Sequence, residues 1–433
     1  MANTALDPHA AVAATASGVA TQPLTTADGK PLVRALARSQ SRARRKAFLL
    51  VLPLLAFIVI TFVVPIGQML QRSFHNDGFS ANMPNISAWF AQTERGTVPD
   101  DAAWQALATD LQASAEARNI GVVGTRVNYD MPGTRSLFTS TGRKVRKGIE
   151  PPYQQTLLEI DEEWADPQLW ATMREVSTPY TANFYLASVD RTRDVDGNIQ
   201  QVDENQRVYL MLFWRTFWLS GLITALTFVL GFPIAHLLAT LPMRKSNLLM
   251  ILVLLPFWTS LLVRTTSWMV LLQQQGVIND ILVWLGVIGG SQRLQMIYNQ
   301  TGTIIAMTHI LLPFMILPLY SVMRTINPSY VRAARSLGAT SWTAFRRIYF
   351  PQTLPGLGAG AMLVFILAVG YYITPALVGG SSGQLISNMI AQHMTSTLNW
   401  SMAAALAALL LGAVLVLYWL YDRLVGVDNL KLG

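Results

Sequence analysis

The side chains with the strongest interaction chemistry in this chain are arginines in unusual settings. Arg264 interrupts an apolar run, and Arg332, Arg335, Arg346 and Arg347 crowd a polar segment, Asn327 to Gly356, that lies between two other apolar runs. A guanidinium in lipid is costly unless it is paired, faces water or snorkels to the headgroups. A basic segment between apolar runs either packs on the membrane and its own helices or is presented to another protein. Both are binding chemistry rather than bond-making chemistry. No Ser/His/Asp or Cys/His arrangement is recognisable, no GxxxxGK[ST] phosphate loop occurs, and the lack of cysteine excludes disulfides and cysteine-based metal sites. No catalytic, cofactor-binding or metal-ligating residues are expected.

The elements that must position these residues follow from composition. The chain has 433 residues, 52% hydrophobic and 13% charged, against about 25% charged in an ordinary soluble domain. It reads as an all-α polytopic membrane protein. The first apolar run, Ala47 to Met69, is about 23 residues or roughly 35 Å of helix, enough to cross a bilayer and too long for the core of a cleaved signal peptide. Five more spans follow at Thr216–Ala239, Leu248–Leu272, Thr303–Met323, Gly356–Leu377 and Ser401–Tyr421. The run Gly356-Leu357-Gly358-Ala359-Gly360 superficially resembles a dinucleotide fingerprint, but it opens a span instead of following a strand. Small-residue helix packing is its expected role.

Basic residues in short loops orient the spans. With the N-terminus inside, Arg244, Lys245, Arg324, Arg332, Arg335, Arg346, Arg347 and Arg423 are all cytoplasmic. The outer loop Val378–Trp400 then has no Lys or Arg, and Gln273–Gly302 has only Arg293. Six transmembrane helices with both termini cytoplasmic satisfy every short loop. Nucleic-acid binding is disfavoured because the basic residues sit at membrane borders rather than on one soluble face.

The division that follows is a disordered basic tail at 1–46, the first span at 47–69, an outer insertion at 70–208, a core at 209–421 containing the polar loop 327–356, and a C-terminal tail at 422–433. The first forty residues are rich in Ala, Thr and Ser and lack apolar periodicity. The insertion holds 19 of the 24 acidic residues, between Asp77 and Glu204, so it reads as a folded, water-facing piece of mixed α/β or α-rich type. Asp100–Asn119 is patterned as an amphipathic helix, with Trp104, Leu107 and Leu111 at helical spacing. Pro152–Val176 is patterned as another. Strands are expected near Val122–Tyr129 and Asn183–Ser188, and the sequence RDVDGNIQ as a hairpin tip. No metal-ligand cluster is evident there.

The six spans contain no Asp or Glu, and His236 and His309 are their only histidines, each expected to be satisfied and buried. Proton- or sodium-coupled carriers usually keep ionisable groups at that depth, although backbone carbonyls can also coordinate sodium. The chain has the architecture of a pathway without an engine, and it should borrow one.

Within the polar loop, Asn327 can cap a helix starting at Pro328 and running to Leu337, with Gly338 in the left-handed position that ends it. Thr340 or Ser341 can start a second helix through Trp342, Phe345 and Ile348, which Pro351 should end. Ala333 and Ala334 permit close approach by a partner, and Phe345 and Tyr349 are the expected apolar anchors. This segment resembles the EAA loop of ABC-importer permeases, in which two alanines precede a glycine and a later Ile-x-x-Pro closes the motif. Ala333, Ala334, Gly338, Ile348 and Pro351 match, while Arg332 stands where the motif usually has Glu. The runs Leu254–Asp280, Leu312–Tyr320 and Gly370–Gly380 are similar to spermidine/putrescine-type permeases, and the resemblance covers roughly Phe213 to Leu409.

The resemblance implies the ABC importer permease fold in a bacterial inner membrane. It also implies cytoplasmic ATPase subunits that use ATP and Mg, a second permease subunit and a periplasmic solute-binding protein as partners beside membrane lipid. The insertion exceeds the family's usual first outer loop, so its role is not implied. The candidate coupling residues are Arg332, Ala333, Ala334, Gly338, Phe345, Ile348 and Pro351; the contact of the motif's Glu with the ATPase does not carry over to Arg332, and Phe345 is taken from the loop's own pattern. Candidate pathway residues are Trp258, Arg264, Trp268, Tyr371, Tyr372 and Pro375. An ion-coupled carrier or channel acting alone, or a membrane-anchored solute sensor, are the alternative readings.

Overall fold

The structure, a computed structural model, describes residues 32–425; residues 1–31 and 426–433 of the two expected tails lie outside it. Two compact units divide near Gln68. The described part of the first is helix α1 (Leu32–Ile58), which continues through a π turn at Val59–Val63 into Val64–Arg72, the last residues of which belong to the second unit. Its Gln40–Arg72 portion is long and apolar enough to cross a membrane. Helix already begins at Leu32, inside the stretch expected to lack structure.

The second unit opens with the insertion: α2 (Pro84–Gln92), α3 (Asp101–Glu116), α4 (Ile120–Asn128), α5 (Thr134–Val145), α6 (Tyr153–Ile160), α7 (Pro167–Val176) and α8 (Asn183–Ser188). The β1 (Arg191–Arg193) and β2 (Ile199–Gln201) strands pair antiparallel around the expected hairpin tip, with Gly197 at φ +87°. Both expected strands are helices instead. Val123 and Val127, one turn apart, enter a core with Phe138, Leu107 and Trp164, and Phe184 and Ser188 are likewise buried one turn apart. Tertiary packing on one helical face outweighed β-branched composition. The stretch 152–176 is broken into two helices because Asp166 caps and Pro167 starts a new one. The buried Asp110 carboxylate accepts the Ile86 N–H (2.8 Å) at the start of α2, and burial pushes its pKa above the usual aspartate value against that bond and the one from Asn85.

The insertion is fastened to the helices that follow. Asp190, buried and in the left-handed region at φ +54°, accepts the N–H groups of Val208 (3.1 Å), Tyr209 (3.0 Å) and Leu210 (2.8 Å). Those are orphan donors at the start of α9 (Tyr209–Thr240), where a negative charge also suits the helix dipole. Asn76 Nδ2 reaches Ser401 Oγ (3.1 Å), and the Tyr129 hydroxyl donates to the Leu398 carbonyl (3.0 Å).

After α9 come α10 (Met243–Leu254), α11 (Leu261–Leu271), α12 (Val277–Trp284), α13 (Gln300–Thr325), α14 (Pro328–Ser336), α15 (Ser341–Gly370), α16 (Ile373–Val378), α17 (Ile386–Thr395) and α18 (Trp400–Val425). Among the described residues, α9, α13, α15 and α18 join the α1 portion as five helices able to cross a membrane. The expected span Leu248–Leu272 is a bent pair, Met243–Trp258 and Leu261–Leu271, at 96°. Counted as one span, it makes six. The break falls where Pro256 and the Ser260 cap of α11 interrupt the ladder.

Hydrogen bonds fix which helix ends lie together. The start of α9 meets the segments after α15: Arg215 Nη1 donates to the Ser381 carbonyl (2.9 Å) and the Ile386 N–H to Thr216 Oγ1 (2.8 Å). The start of α13 meets the same segments, with Tyr298 N–H on the Val378 carbonyl (2.8 Å). At the other end, Arg324 Nη1 donates to the Ala239 carbonyl (2.8 Å), supplying a cation to the last turn of α9. The chain therefore returns to the insertion end between α9 and α13, and the loop after α13 lies at the opposite end from the insertion.

The core of the bundle is α13 packed between α9 and α15, with Met307, Leu311, Met315 and Leu319 against Leu219, Ile223 and Val364. A Cβ at Gly356 would lie 2.9 Å from the Pro318 carbonyl, and one at Gly360 would lie 2.9 Å from Met315 Sδ. The glycine run is thus a helix-packing seam, as expected from its position. Gly356→Val should separate α13 from α15 and cost about 1–3 kcal/mol through overpacking, read as a lower unfolding midpoint in detergent, while Ala359→Val, on the exposed side, leaves the midpoint unchanged.

Candidate functional site: the polar loop and the cleft behind it

Each turn of the polar loop is set by a local rule. The Asn327 side chain accepts the Ser329 N–H (2.9 Å) and Pro328 occupies the first turn of α14. The chain reverses at Gly338, φ +88°, where Gly338 N–H bonds the Arg335 carbonyl (3.0 Å) and Ala339 N–H the Ala334 carbonyl (3.1 Å). Thr340 Oγ1 then accepts the Thr343 N–H (3.2 Å) and starts α15.

Pro351 does not end that second helix. Residues Phe345–Tyr349 form a π turn, with Phe350 N–H on the Phe345 carbonyl, and the helix runs on to Gly370. Proline in a regular helix forfeits one bond and crowds the carbonyl four residues earlier. The wider turn relieves that conflict, and Gln352 Nε2 takes up the Ile348 carbonyl (2.7 Å). The expected span Gly356–Leu377 is accordingly displaced: one helix extends from inside the loop to Gly370, and Tyr371 breaks it.

Side-chain placement separates the predicted residues into two groups. Arg332, Ala333, Gly338 and Pro351 are exposed, and Ala334 and Ile348 are half-buried. Phe345 and Tyr349, expected as outward anchors, pack inward. Phe345 stacks with Tyr349 (5.8 Å) and meets Phe232 edge-on (6.0 Å), while the Tyr349 hydroxyl is 2.9 Å from His236 Nδ1. The outward apolar groups are instead Tyr330 (54% exposed), Leu337 (89%) and Trp342 (67%), interspersed with exposed Arg332, Arg335, Arg346 and Arg347. Tyr330 and Leu337 were missed because their seven-residue spacing is also that of a core-facing stripe.

The candidate pathway residues lie toward the other end. Arg264 Nη2 donates to the Thr259 carbonyl (3.1 Å), occupying an acceptor freed by the bend. Arg264 and Trp268 line a cleft of about 270 Å³ with Ser267 and His309, and Trp268 Nε1 donates to His309 Nδ1 (3.1 Å). Both span histidines thus have partners. Trp258 precedes the bend, is exposed and does not line this cleft. At the break after α15 the Tyr371 and Tyr372 carbonyls accept Ser387 Oγ (2.6 Å) and Asn388 Nδ2 (2.8 Å).

Pro375 is buried in α16 beside Thr374, whose Oγ1 lies 3.2 Å from Thr265 Oγ1 on α11. That pair joins the two groups of candidates. It was legible only as the hydroxyl-rich run Thr265-Thr266-Ser267 after Arg264. Nearby on α17, burial pushes the His393 pKa down, favouring a neutral ring between the Tyr209 and Thr397 hydroxyls (2.9 and 3.0 Å).

Residues 227–426 match the family of binding-protein-dependent transport system inner membrane components. The chain is 35% identical over 220 residues to the spermidine/putrescine transport system permease protein PotB of Salmonella typhimurium, covering 50% of this chain and 76% of that one. The Escherichia coli K12 protein of the same name matches at 35%, covering 79% of its length. The inner membrane ABC transporter permease protein YdcU of E. coli K12 is 32% identical over 204 residues, 44% of this chain and 64% of that one. A solved chain from a bacterial ABC transporter for alginate aligns at 18% identity over 50% of this chain and 78% of its own, with a TM-score of 0.43.

The chain belongs to the binding-protein-dependent transport system inner membrane component family. It is a multi-pass inner-membrane permease subunit of an ABC importer, a transporter component rather than an enzyme, and its partners are in general terms an ATPase, a second permease subunit and a binding protein.

Gly338→Ala forces a Cβ into the left-handed region at about 1–2 kcal/mol. Amide exchange in residues 328–344 should quicken by roughly tenfold for that cost, and Gly338→Asn should quicken it less.

Proposed function

We propose that this permease passes polyamines such as spermidine and putrescine, or related small organic amines, into the cell, driven by an ATPase docked on the loop 327–356. Its termini and that loop are cytoplasmic, and the insertion 70–208 faces the periplasm. The observation that carries the docking is the outward set Tyr330, Leu337 and Trp342 among four exposed arginines, at the bundle end opposite the insertion. Apolar groups of that size left bare are unfavourable in water and fit a cleft in a partner. Arg332, in place of the motif's usual acid, calls for an acidic counterpart on the ATPase surface. Ala333, Ala334 and Gly338 allow close backbone approach, Phe345 and Ile348 support the loop from beneath, and Pro351 lies exposed just behind it. ATP and Mg belong to the partner, and this chain binds no cofactor of its own.

The substrate reading rests on the named polyamine permeases that the chain resembles. The cleft at Arg264 and Trp268 has no carboxylate in its wall, so selection of a cationic solute falls mainly to the binding protein. Tyr371, Tyr372 and Pro375 then form part of the outer gate, where aromatic faces can pass an amine by cation–π contact.

Leu337→Asp should weaken the ATPase complex by ten- to a hundred-fold, the loss of roughly 1.5–3 kcal/mol for one buried leucine. Co-purification and ATP-driven uptake of labelled spermidine should fall together. Uptake sustained by an ion gradient without ATP would contradict the proposal.

A further inference from the structure

The short helix α12 (Val277–Trp284) presents an apolar face that the bundle leaves uncovered. Val277, Ile281, Trp284 and Leu285 recur at helical spacing on its outer side, and Trp284 is 82% exposed. The opposite side is fixed. Asn279, fully buried, donates through Nδ2 to the carbonyls of Gln273 (3.1 Å) and Leu294 (2.9 Å) and accepts the Leu294 N–H (2.9 Å). Arg293 Nη2 pairs with Asp280 (2.8 Å) at the edge of the apolar face, and Arg293 Nη1 donates to the Gln274 carbonyl (3.0 Å). The helix is therefore clamped, with its apolar side held outward.

We infer that α12 is an interfacial helix that lays Val277, Ile281, Trp284 and Leu285 into the acyl–headgroup boundary of the bilayer, on the insertion side. Lipid fits this face for three reasons. The segment lies between α11 and the start of α13, and the start of α13 is tied to the insertion end of the bundle, which places α12 at the level where the membrane helices leave the bilayer. The preceding helix α11 likewise leaves large apolar side chains, Leu262 and Val270, exposed. Its one carboxylate, Asp280, is at the border and already neutralised by Arg293, so the face carries no free charge, and Trp284 brings the amphipathic ring favoured at that depth. The clamp through Asn279 then anchors the outer end of the bent pair α10–α11, which carries Arg264.

The chain has no cysteine, so single cysteines can be placed without background. Val277→Cys, Ile281→Cys, Trp284→Cys and, as aqueous reference, Gln292→Cys would be spin-labelled in the full chain reconstituted in phospholipid nanodiscs. Power-saturation EPR then compares collision with oxygen, which partitions into lipid, and with a water-soluble nickel chelate. Oxygen accessibility several-fold above nickel accessibility at 277, 281 and 284, with the reverse at 292, is expected. Preference for nickel at 281 and 284 would overturn the inference, and so would protection from both reagents, the signature of a second permease subunit covering the face. If the Trp284 variant fails to fold, Val277→Cys and Ile281→Cys decide the matter.

Discussion

In hydrocarbon no water is available to satisfy a broken helix, so every end and bend within this bundle has to supply its own hydrogen-bond partner. Named side chains meet that demand at several of these points. Asp190 takes three N–H groups at the start of α9, and Arg324 takes a carbonyl at its end. Arg264 fills the carbonyl at the α10–α11 bend, while Ser387 and Asn388 fill those at the break after α15. Asn299 and Asn399 cap α13 and α18 through Gly302 N–H and Met402 N–H, both at 3.0 Å. Arg264 and Arg324 act as capping groups, which accounts for arginines beside apolar helices without any acidic partner in the spans.

The same constraint gives the loop its mechanical character. Because the π turn accommodates Pro351, the second half of the loop and the helix behind it form one rod from Ser341 to Gly370. Gly356 and Gly360 seat that rod directly on α13. Trp342 stands at the loop end of that rod and Tyr371 at its far end, from where α16 and the Thr374–Thr265 contact form a route to the helix that carries Arg264. A loop helix that stopped at Pro351 would have left a hinge in that route.

The parts legible in the sequence were those governed by strong local rules. Gly338, the Asn327 and Thr340 caps and the glycine seam all lie where short-range sterics and capping predict them. Apolar length located three of the five core spans closely. The failures arose where tertiary structure overrode a local signal. Pro351 was absorbed by a π turn that no propensity announces, and the α4 valines joined a helical core. The direction of Phe345 and Tyr349 depended on Phe232 and His236, more than 100 positions away in the chain. The bend at Thr259 was visible only as a proline and a serine inside an otherwise continuous apolar run. Arg264 was legible as an anomaly, but its carbonyl partner was not.

The proposed docking puts the loop 327–356 on the cytoplasmic side, against the ATPase. Labelling Leu337→Cys in the otherwise cysteine-free chain with a membrane-impermeant thiol reagent tests this most directly. Inside-out vesicles stripped of the ATPase should label strongly, rebinding the ATPase should protect the site, and intact spheroplasts should not label. Labelling in spheroplasts, or labelling of stripped vesicles that the ATPase leaves unchanged, would contradict it.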